Sequence, residues 1–441
     1  MFFDLDLSSR LSFPDKFFNS AIFRLGFSLL AIVGLSLLIL ISAKFGFSRL
    51  LQKYAVGANS PPTQTQAVAA VNYATSLTPD DPEAHRMRAA LLSRFQLYQY
   101  AKPEQEIAVQ LRPKDDRLWL ELGNIEEELE ESQNALLSYN EAVRYAPYYA
   151  HTRWQRGNLL LRMGQTDEAF NDLRAAAQSN RIFVPSFIDL AWALTGKNVK
   201  TTELILQIED DTTRLSFAKF LAGKGEGTAT LEQLKAVSIS VPVAAKKEII
   251  SRLVGSKSYK AAFELANSLS GESVDGAAQM YDGGFENKIT LDEHGVSWQL
   301  PSEQQGVTMA QDFAVKESGE KSLRITFSGN STPGVHLLSE TVLATPAKQY
   351  RINFAFRVQN LVTGGPPELV VSDACTDEVI GRSVLPPQSD QDWHSLSVDF
   401  STKQTCDAIV LHLSRISCST TPCPIFGVLW LDSFSIQELS K

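Results

Sequence analysis

Small residues and prolines recur through the first half of this chain at a fixed spacing of 34. Ala67, Ala101, Ala135 and Ala169 form one series, Ala74, Ala108, Ala142 and Ala176 a second, and Pro79, Pro113 and Pro147 a third. A register held over successive units calls for a stack of like units, each burying its apolar face on the next. Two short helices per unit account for the residue types. Alanine sits where helices cross closely, and proline after the second helix stops it before the next unit begins. The expected fold of residues 66–200 is therefore an all-α solenoid.

The unit from Asp116 to Tyr149 resembles the tetratricopeptide repeat: Trp119, Leu122, Gly123, Ala135, Tyr139, Ala142 and Pro147 stand at that family's signature positions. The unit from Ala150 to Phe183 keeps Gly157, Ala169 and Ala176. It carries Arg153 and Arg156 where the family has Trp and Leu, and Arg181 in place of the proline. Those departures question its regularity and are expected to expose positive charge in an otherwise acidic array. The unit from Pro82 to Asp115 keeps Ala101, Ala108 and Pro113, with Ala89 for the glycine, and residues 66–81 supply the second helix of an earlier unit. The resemblance implies a groove for a peptide or partner protein, and no chemistry. The alternative is a spacer that packs against its own C-terminal domain.

Ahead of the repeats, Leu25 to Ala43 carry no charge and are bracketed by Arg24 and Lys44. At about 1.5 Å per residue the stretch spans a hydrocarbon core of about 30 Å, so residues 25–44 read as a transmembrane helix after a tail of residues 1–24. A cleaved signal peptide competes, but its apolar run is normally about 7–15 residues; a buried core helix would show a polar stripe. Flanking charge leaves the orientation open, because Arg10, Lys16 and Arg24 balance Lys44, Arg49 and Lys53. Residues 45–65, with Pro61 and Pro62, read as a juxtamembrane segment and linker. Residues 201–275 stay helical without the period and read as degenerate helices that cap the solenoid.

From residue 276 to 441 the pattern turns to alternating β-strands such as QYRINFAFRV and AIVLHLSRI, separated by turn signals. That spacing predicts an all-β antiparallel sandwich of jelly-roll type. Asp282-Gly-Gly-Phe-Glu286, Trp298, Gly319 to Arg324, Trp393 and Leu429-Trp-Leu-Asp-Ser433 occur in the order seen in β-sandwich carbohydrate-binding modules, which this domain resembles. The resemblance implies a structural calcium between Glu286 and Asp432, although Ser433 replaces a second acid, and surface carboxylates without an ion are the alternative. It places Trp298, Trp393 and Trp430 at core positions, so retained sugar affinity stays open.

All four cysteines lie in this domain. Cys418 with Cys423 and Cys375 with Cys406 is the expected choice among three pairings, with free thiols as the alternative. The cysteines and the sugar-module resemblance together place the bulk outside the cytoplasm. A formal net charge of −9 and the absence of a dense basic run disfavour nucleic acid as a partner. No histidine pair, P-loop or nucleophile motif is complete, and the acids of Glu126 to Glu131 read as a solvated helix face. The expectation is a non-catalytic protein of the bacterial inner membrane, associated with exopolysaccharide or O-antigen assembly, with protein partners on the repeats and polysaccharide on the sandwich. The alternatives are a cell-surface polysaccharide binder and a glycan-acting enzyme.

Overall fold

The structure is a computed structural model, and it describes residues 21–57, 63–270, 278–289, 295–300, 305–329, 331–384, 392–419 and 421–439. The tail expected over residues 1–20 and the Pro61-Pro62 part of the linker lie outside the described residues. The chain divides into two compact units, Met1–Phe183 and Val184–Lys441.

The described residues of the first unit form helices and short turns. α1 (Ala21–Val56) is the long apolar helix. After it come α2 (Gln64–Leu77), α3 (Pro82–Arg94), α4 (Tyr98–Leu111), α5 (Asp116–Glu128), α6 (Ser132–Tyr145), α7 (Ala150–Arg162) and α8 (Thr166–Ser179). They pair as antiparallel hairpins. The alanines of the 34-residue series are buried at the crossings, Ala74, Ala101, Ala108, Ala135, Ala142, Ala169 and Ala176 completely. Within each of three hairpins the tight turn needs one left-handed residue: Gln96 at φ 59°, Glu130 at 61° and Gly164 at 78°, again 34 apart. Only the last has the residue type that favours this conformation.

Turns between hairpins repeat as faithfully. The N–H groups of Asp81, Asp115, Tyr149 and Phe183 donate to the carbonyls of Thr78, Arg112, Ala146 and Asn180 at 3.1, 3.3, 3.1 and 3.1 Å. Asp81 and Asp115 also cap the following helices by accepting from the N–H groups of Glu83 and Arg117.

Residues 45–56, expected to be juxtamembrane linker, are helical and belong to α1. Their last turns form the missing first helix of another hairpin: Ala55, with Leu51 beside it, packs on Ala67, Ala70 and Val71. The Ser48 hydroxyl donates to the Ala74 carbonyl at 3.1 Å and meets the Thr78 hydroxyl at 3.0 Å. Arg49 pairs with Asp81 at 3.0 Å.

The second unit opens with α9 (Val184–Leu194), α10 (Val199–Leu206), α11 (Asp211–Lys224), α12 (Gly227–Lys235), α13 (Val243–Gly255) and α14 (Tyr259–Ser270). Among the described residues ten strands follow: β1 (Ala278–Gln279), β2 (Val307–Asp312), β3 (Ser322–Gly329), β4 (Leu338–Ala344), β5 (Gln349–Thr363), β6 (Pro367–Asp373), β7 (Val379–Val384), β8 (His394–Ser401), β9 (Ala408–Arg415) and β10 (Ile425–Glu438). They form two antiparallel five-stranded sheets, ordered β1-β4-β9-β6-β7 and β2-β3-β10-β5-β8. One apolar core lies between them, built from residues such as Leu323, Ile325, Phe354, Leu369, Leu411 and Leu429. Alternation along each strand supplies this core from one face.

The last helices pack on the sheets. The Tyr259 hydroxyl donates to the Ala374 carbonyl at 2.8 Å, and its ring is buried among Ala374, Cys406 and Ala408. Lys257 donates to the Cys375 carbonyl at 2.5 Å. Ile250, Ala262 and Leu265 share a second cluster with Val296. In this unit, helices read as a cap are also a platform for the β domain.

Candidate binding surfaces

In the first unit α3, α4 and α5 enclose a groove of about 410 Å³. α3 contributes Ala90 and Arg94, α4 Tyr98 and Gln105, and α5 Glu121, Asn124 and Glu128. The one-face periodicity of an α-helix brings these residues together, since Glu121, Asn124 and Glu128 are three and four apart on α5. Gln105 is anchored by donating to the Leu118 carbonyl at 2.8 Å, and Asn124 by accepting from the Tyr139 hydroxyl at 2.7 Å. Arg86 sits behind the wall, held by Glu83 at 2.5 Å and Glu121 at 2.9 Å. The hydrogen bond that Arg86 donates to Glu83 raises its pKa against the effect of burial. Partial desolvation, then the Glu128 carboxylate, pushes the Tyr98 phenol above its ordinary value. Polar groups of both signs, Arg94 with Glu121 and Glu128, around an open groove suit a peptide whose charges alternate.

The repeat-signature residues mostly serve packing. Leu122, Gly123, Ala135, Tyr139 and Ala142 are buried. A Cβ on Gly123 would lie 2.5 Å from Tyr139, and one on Gly157 2.8 Å from Leu173, so both glycines are required by the side chain opposite. Trp119 donates its indole N–H to the Pro113 carbonyl at 2.9 Å.

Two expectations in this region need correction. Arg153 and Arg156 do not leave free positive charge, because both close on the buried Asp172, at 2.8 and 2.5 Å. Glu126 is not on a solvated face. It is turned inward, accepts from the Ser138 hydroxyl at 2.6 Å and lies 3.6 Å from Lys102. Burial raises its pKa, with the Ser138 bond and the Lys102 charge pulling the other way.

On the sandwich, the cysteines form Cys375–Cys406 and Cys418–Cys423 disulfides. The smaller loop is held by Arg415, a buried side chain that sequence reading passed over. It donates to the carbonyls of Gly365 at 3.2 Å and Cys423 at 2.9 Å.

Glu286 and Asp432 converge on the loop of residues 317–321. Glu286 Oε1 accepts from the Glu320 N–H at 2.9 Å. Asp432 accepts from the N–H groups of Glu317 at 2.9 Å, Ser318 at 3.2 Å and Ser433 at 2.6 Å. The neighbouring carbonyls are taken too: those of Phe285 and Asn287 by the Gln311 amide at 2.6 and 2.7 Å, and that of Glu286 by the Lys321 ammonium at 2.5 Å. Calcium takes six to eight oxygens, whereas these oxygens already face N–H donors and a cation. The residues do not fit the ion, and nothing below is derived through it. Asp373, Cys375 and Cys406 form the one three-residue cluster of metal-ligand types among the described residues, and its two sulfurs are bonded to each other.

Trp298 is buried in the sandwich core, and Trp393 is half-buried. Trp430 alternates with the core residues Leu429 and Leu431 and so points out of the core. Its indole N–H donates to Asp312 at 3.0 Å and the Arg357 guanidinium lies 5.6 Å from its ring, so the face is roofed. On the outward side of the sheet containing β9, His412 stacks on His336 at 3.9 Å, and Arg382 pairs with Glu368 at 3.4 Å nearby. Burial first, then His336 and Arg382, lowers the His412 pKa to about 4, which keeps its ring neutral. Its Nδ1 is buried without a hydrogen-bond partner. No sequence motif marks this pair, since the segment leading into β4 and strand β9 bring it together from distant positions.

No protein-family model matches the chain, and no curated protein matches it. Among solved structures, a double mutant of MamA RS-1 is 21% identical; the match covers 27% of this chain and 66% of that one, at a TM-score of 0.26. MamA from Desulfovibrio magneticus RS-1 is also 21% identical, over 27% of this chain and 67% of that one, at 0.26. A further MamA structure is 15% identical over 41% of this chain and 88% of its own, at 0.30. These values are too low to bear on what the chain does.

Proposed function

We propose that the protein is a non-catalytic scaffold of bacterial cell-envelope polysaccharide assembly, anchored in the inner membrane through residues 25–44 with its bulk in the periplasm. α1 is the anchor, the hairpins are tetratricopeptide-type repeats that hold a protein partner, and the sandwich makes a second contact with glycan or protein. The observation that carries the reading is the groove of α3, α4 and α5, where Arg94, Asn124 and Glu128 surround open space. The disulfides support a compartment outside the cytoplasm.

The test is affinity purification from detergent of the full chain and of an Arg94→Glu, Asn124→Ala, Glu128→Arg variant. Loss of a partner from the variant supports the scaffold; an unchanged partner set defeats it. A second reading, a cell-surface polysaccharide binder, is favoured by the unpartnered Nδ1 of His412. Binding of one polysaccharide by the full chain, abolished by His412→Ala, would support that reading instead.

A further inference from the structure

We infer that one edge of the repeat array, the edge formed by the turns between hairpins, lies against the bilayer that holds α1, and that its tyrosines, Ile182 and flanking arginines contact lipid headgroups. The inference rests on the reading of α1 as a membrane span.

It starts from the height at which the array begins. α1 has no proline and runs unbroken from the uncharged stretch into the first hairpin. The apolar stretch ends at Ala43, and by Ser48 and Arg49 the same helix is bonded to Ala74, Thr78 and Asp81. Four residues beyond Lys44 is about 6 Å, which is headgroup depth. The turn of residues 78–81 therefore stands at the membrane surface. The turns of residues 112–115, 146–149 and 180–183 repeat its geometry, and each joins the end of one second helix to the start of the next first helix. They line the same edge, and a spanning helix tilted by about 20° is ordinary.

The two edges differ in what they expose. The tip residues of the inter-hairpin turns are Asp80, Lys114, Tyr148 and Ile182. Tyr148 is 86% exposed, Ile182 73% and Tyr149 51%. Arg112 and Arg144 stand beside them, 52% and 69% exposed, each in a surface ion pair, with Asp115 at 3.3 Å and Glu141 at 3.2 Å, that a phosphate can replace. The turns of the opposite edge, residues 95–97, 129–131 and 163–165, expose no large apolar side chain. Leu137 is exposed in mid-helix, and Tyr100, in the first turn of α4, is the one exposed large ring next to the opposite edge among the described residues. Tyrosine and an aliphatic tip with arginines around them match the chemistry of the headgroup layer, where rings sit at carbonyl level and cations reach phosphates.

The test uses the full chain, whose cysteines are all in disulfides among the described residues, so that a single added thiol is the one labelled. Tyr148→Cys, Ile182→Cys, the opposite-edge control Gln165→Cys and the span control Ser36→Cys each receive an environment-sensitive fluorophore. They are reconstituted in vesicles of phosphatidylcholine and phosphatidylglycerol containing headgroup or acyl-chain nitroxide lipids. The expected result is that headgroup nitroxide removes most of the emission at positions 148 and 182 and leaves 165 unchanged, with the effect reduced in pure phosphatidylcholine. Equal, weak quenching at 148, 182 and 165 overturns the proposal while strong acyl-chain quenching at 36 leaves the anchor standing. Absence of quenching at 36 overturns the anchor and the proposal with it. Blue-shifted but unquenched emission at 148 and 182 means that protein, such as a second copy, covers the edge, and also overturns it. Two independent label sites keep the test decisive if one variant fails to fold.

Discussion

In the hairpin of residues 116–149 the fourth residue is Trp119, which packs among Leu118, Leu120 and Leu122 and donates its indole N–H to the carbonyl of Pro113. In the hairpin of residues 150–183 the fourth residue is Arg153, and its Nε donates to the carbonyl of Pro147 at 2.5 Å, the equivalent acceptor 34 residues on. In the hairpin of residues 82–115 the fourth residue, His85, does the same with Pro79, at 2.9 Å. Three chemistries thus hold one bond. What changes with them is the residue nineteen positions later: Glu104 pairs with His85 at 2.8 Å, Asp172 with Arg153 at 2.8 Å, while opposite Trp119 stands Ser138, which turns instead to Glu126. The backbone requirement is constant, and each polar donor is accompanied by the carboxylate that makes its burial tolerable.

The largest expected effect breaks the polar version of the hairpin. Asp172→Ala leaves Arg153 and Arg156 without their shared carboxylate and is expected to cost about 3 kcal/mol, since removing one member of a buried ion pair strands the other. Because solenoids unfold segment by segment, the measurement is amide hydrogen exchange across α7 and α8, which should lose protection while α5 and α6 keep theirs. Equal protection in both would show that the ion cluster contributes little.

The next substitution sharpens the comparison by exchanging one chemistry for the other. Arg153→Trp, Arg156→Leu and Asp172→Ala together should recover most of the loss, to within about 1.5 kcal/mol of the starting protein, as apolar groups replacing a buried ion set usually do. A triple variant no better than Asp172→Ala alone would mean that α7 has diverged beyond this exchange.

These hairpins also mark what could be read without the fold. The 34-residue alanine and proline series carried the architecture, because small residues at crossings and a breaker after the second helix are local requirements. Arg153 and Arg156 looked like loose positive charge because Asp172, sixteen and nineteen positions later, meets them only once the hairpin closes. The inward turn of Glu126 is hidden for the same reason, since Ser138 and Lys102 meet it only in the folded array. The first hairpin was hidden because Leu51 and Ala55 lie on the helix that crosses the apolar stretch, and a glycine-position alanine gives no signal alone. The groove of Arg94, Asn124 and Glu128 and the His336–His412 stack join separate elements, so no spacing in the sequence announces them.

Gly123 and Gly157 test the packing that both hairpins share. A methyl group at 123 would meet the Tyr139 ring at 2.5 Å; at 157 it would meet Leu173 at 2.8 Å and the Ala169 carbonyl at 3.2 Å. Gly123→Ala is expected to cost about 2 kcal/mol by overpacking. Adding Tyr139→Val should remove the clash, since Ala55 in the first hairpin is accommodated beside Val71. Thermal denaturation of the single and double variants decides it: a double variant less stable than the single would show that the Tyr139 ring and its bond to Asn124 outweigh the clash.

The smallest effect concerns the turn inside each hairpin, where Glu130 and Gly164 adopt the same left-handed conformation at φ 61° and 78°. A side chain in that region strains the backbone by about 1–2 kcal/mol, whereas glycine adopts it freely but loses more chain entropy on folding. The difference leaves Glu130→Gly more stable by about 0.5–1 kcal/mol, and the reverse change, Gly164→Glu, less stable by a similar amount. Glu130 itself appears in no ion pair among the described residues, so the exchange isolates the backbone term. Matched chemical denaturation of the two variants would show shifts of opposite sign; shifts of one sign would mean that the turns, alike in φ, differ in what surrounds them.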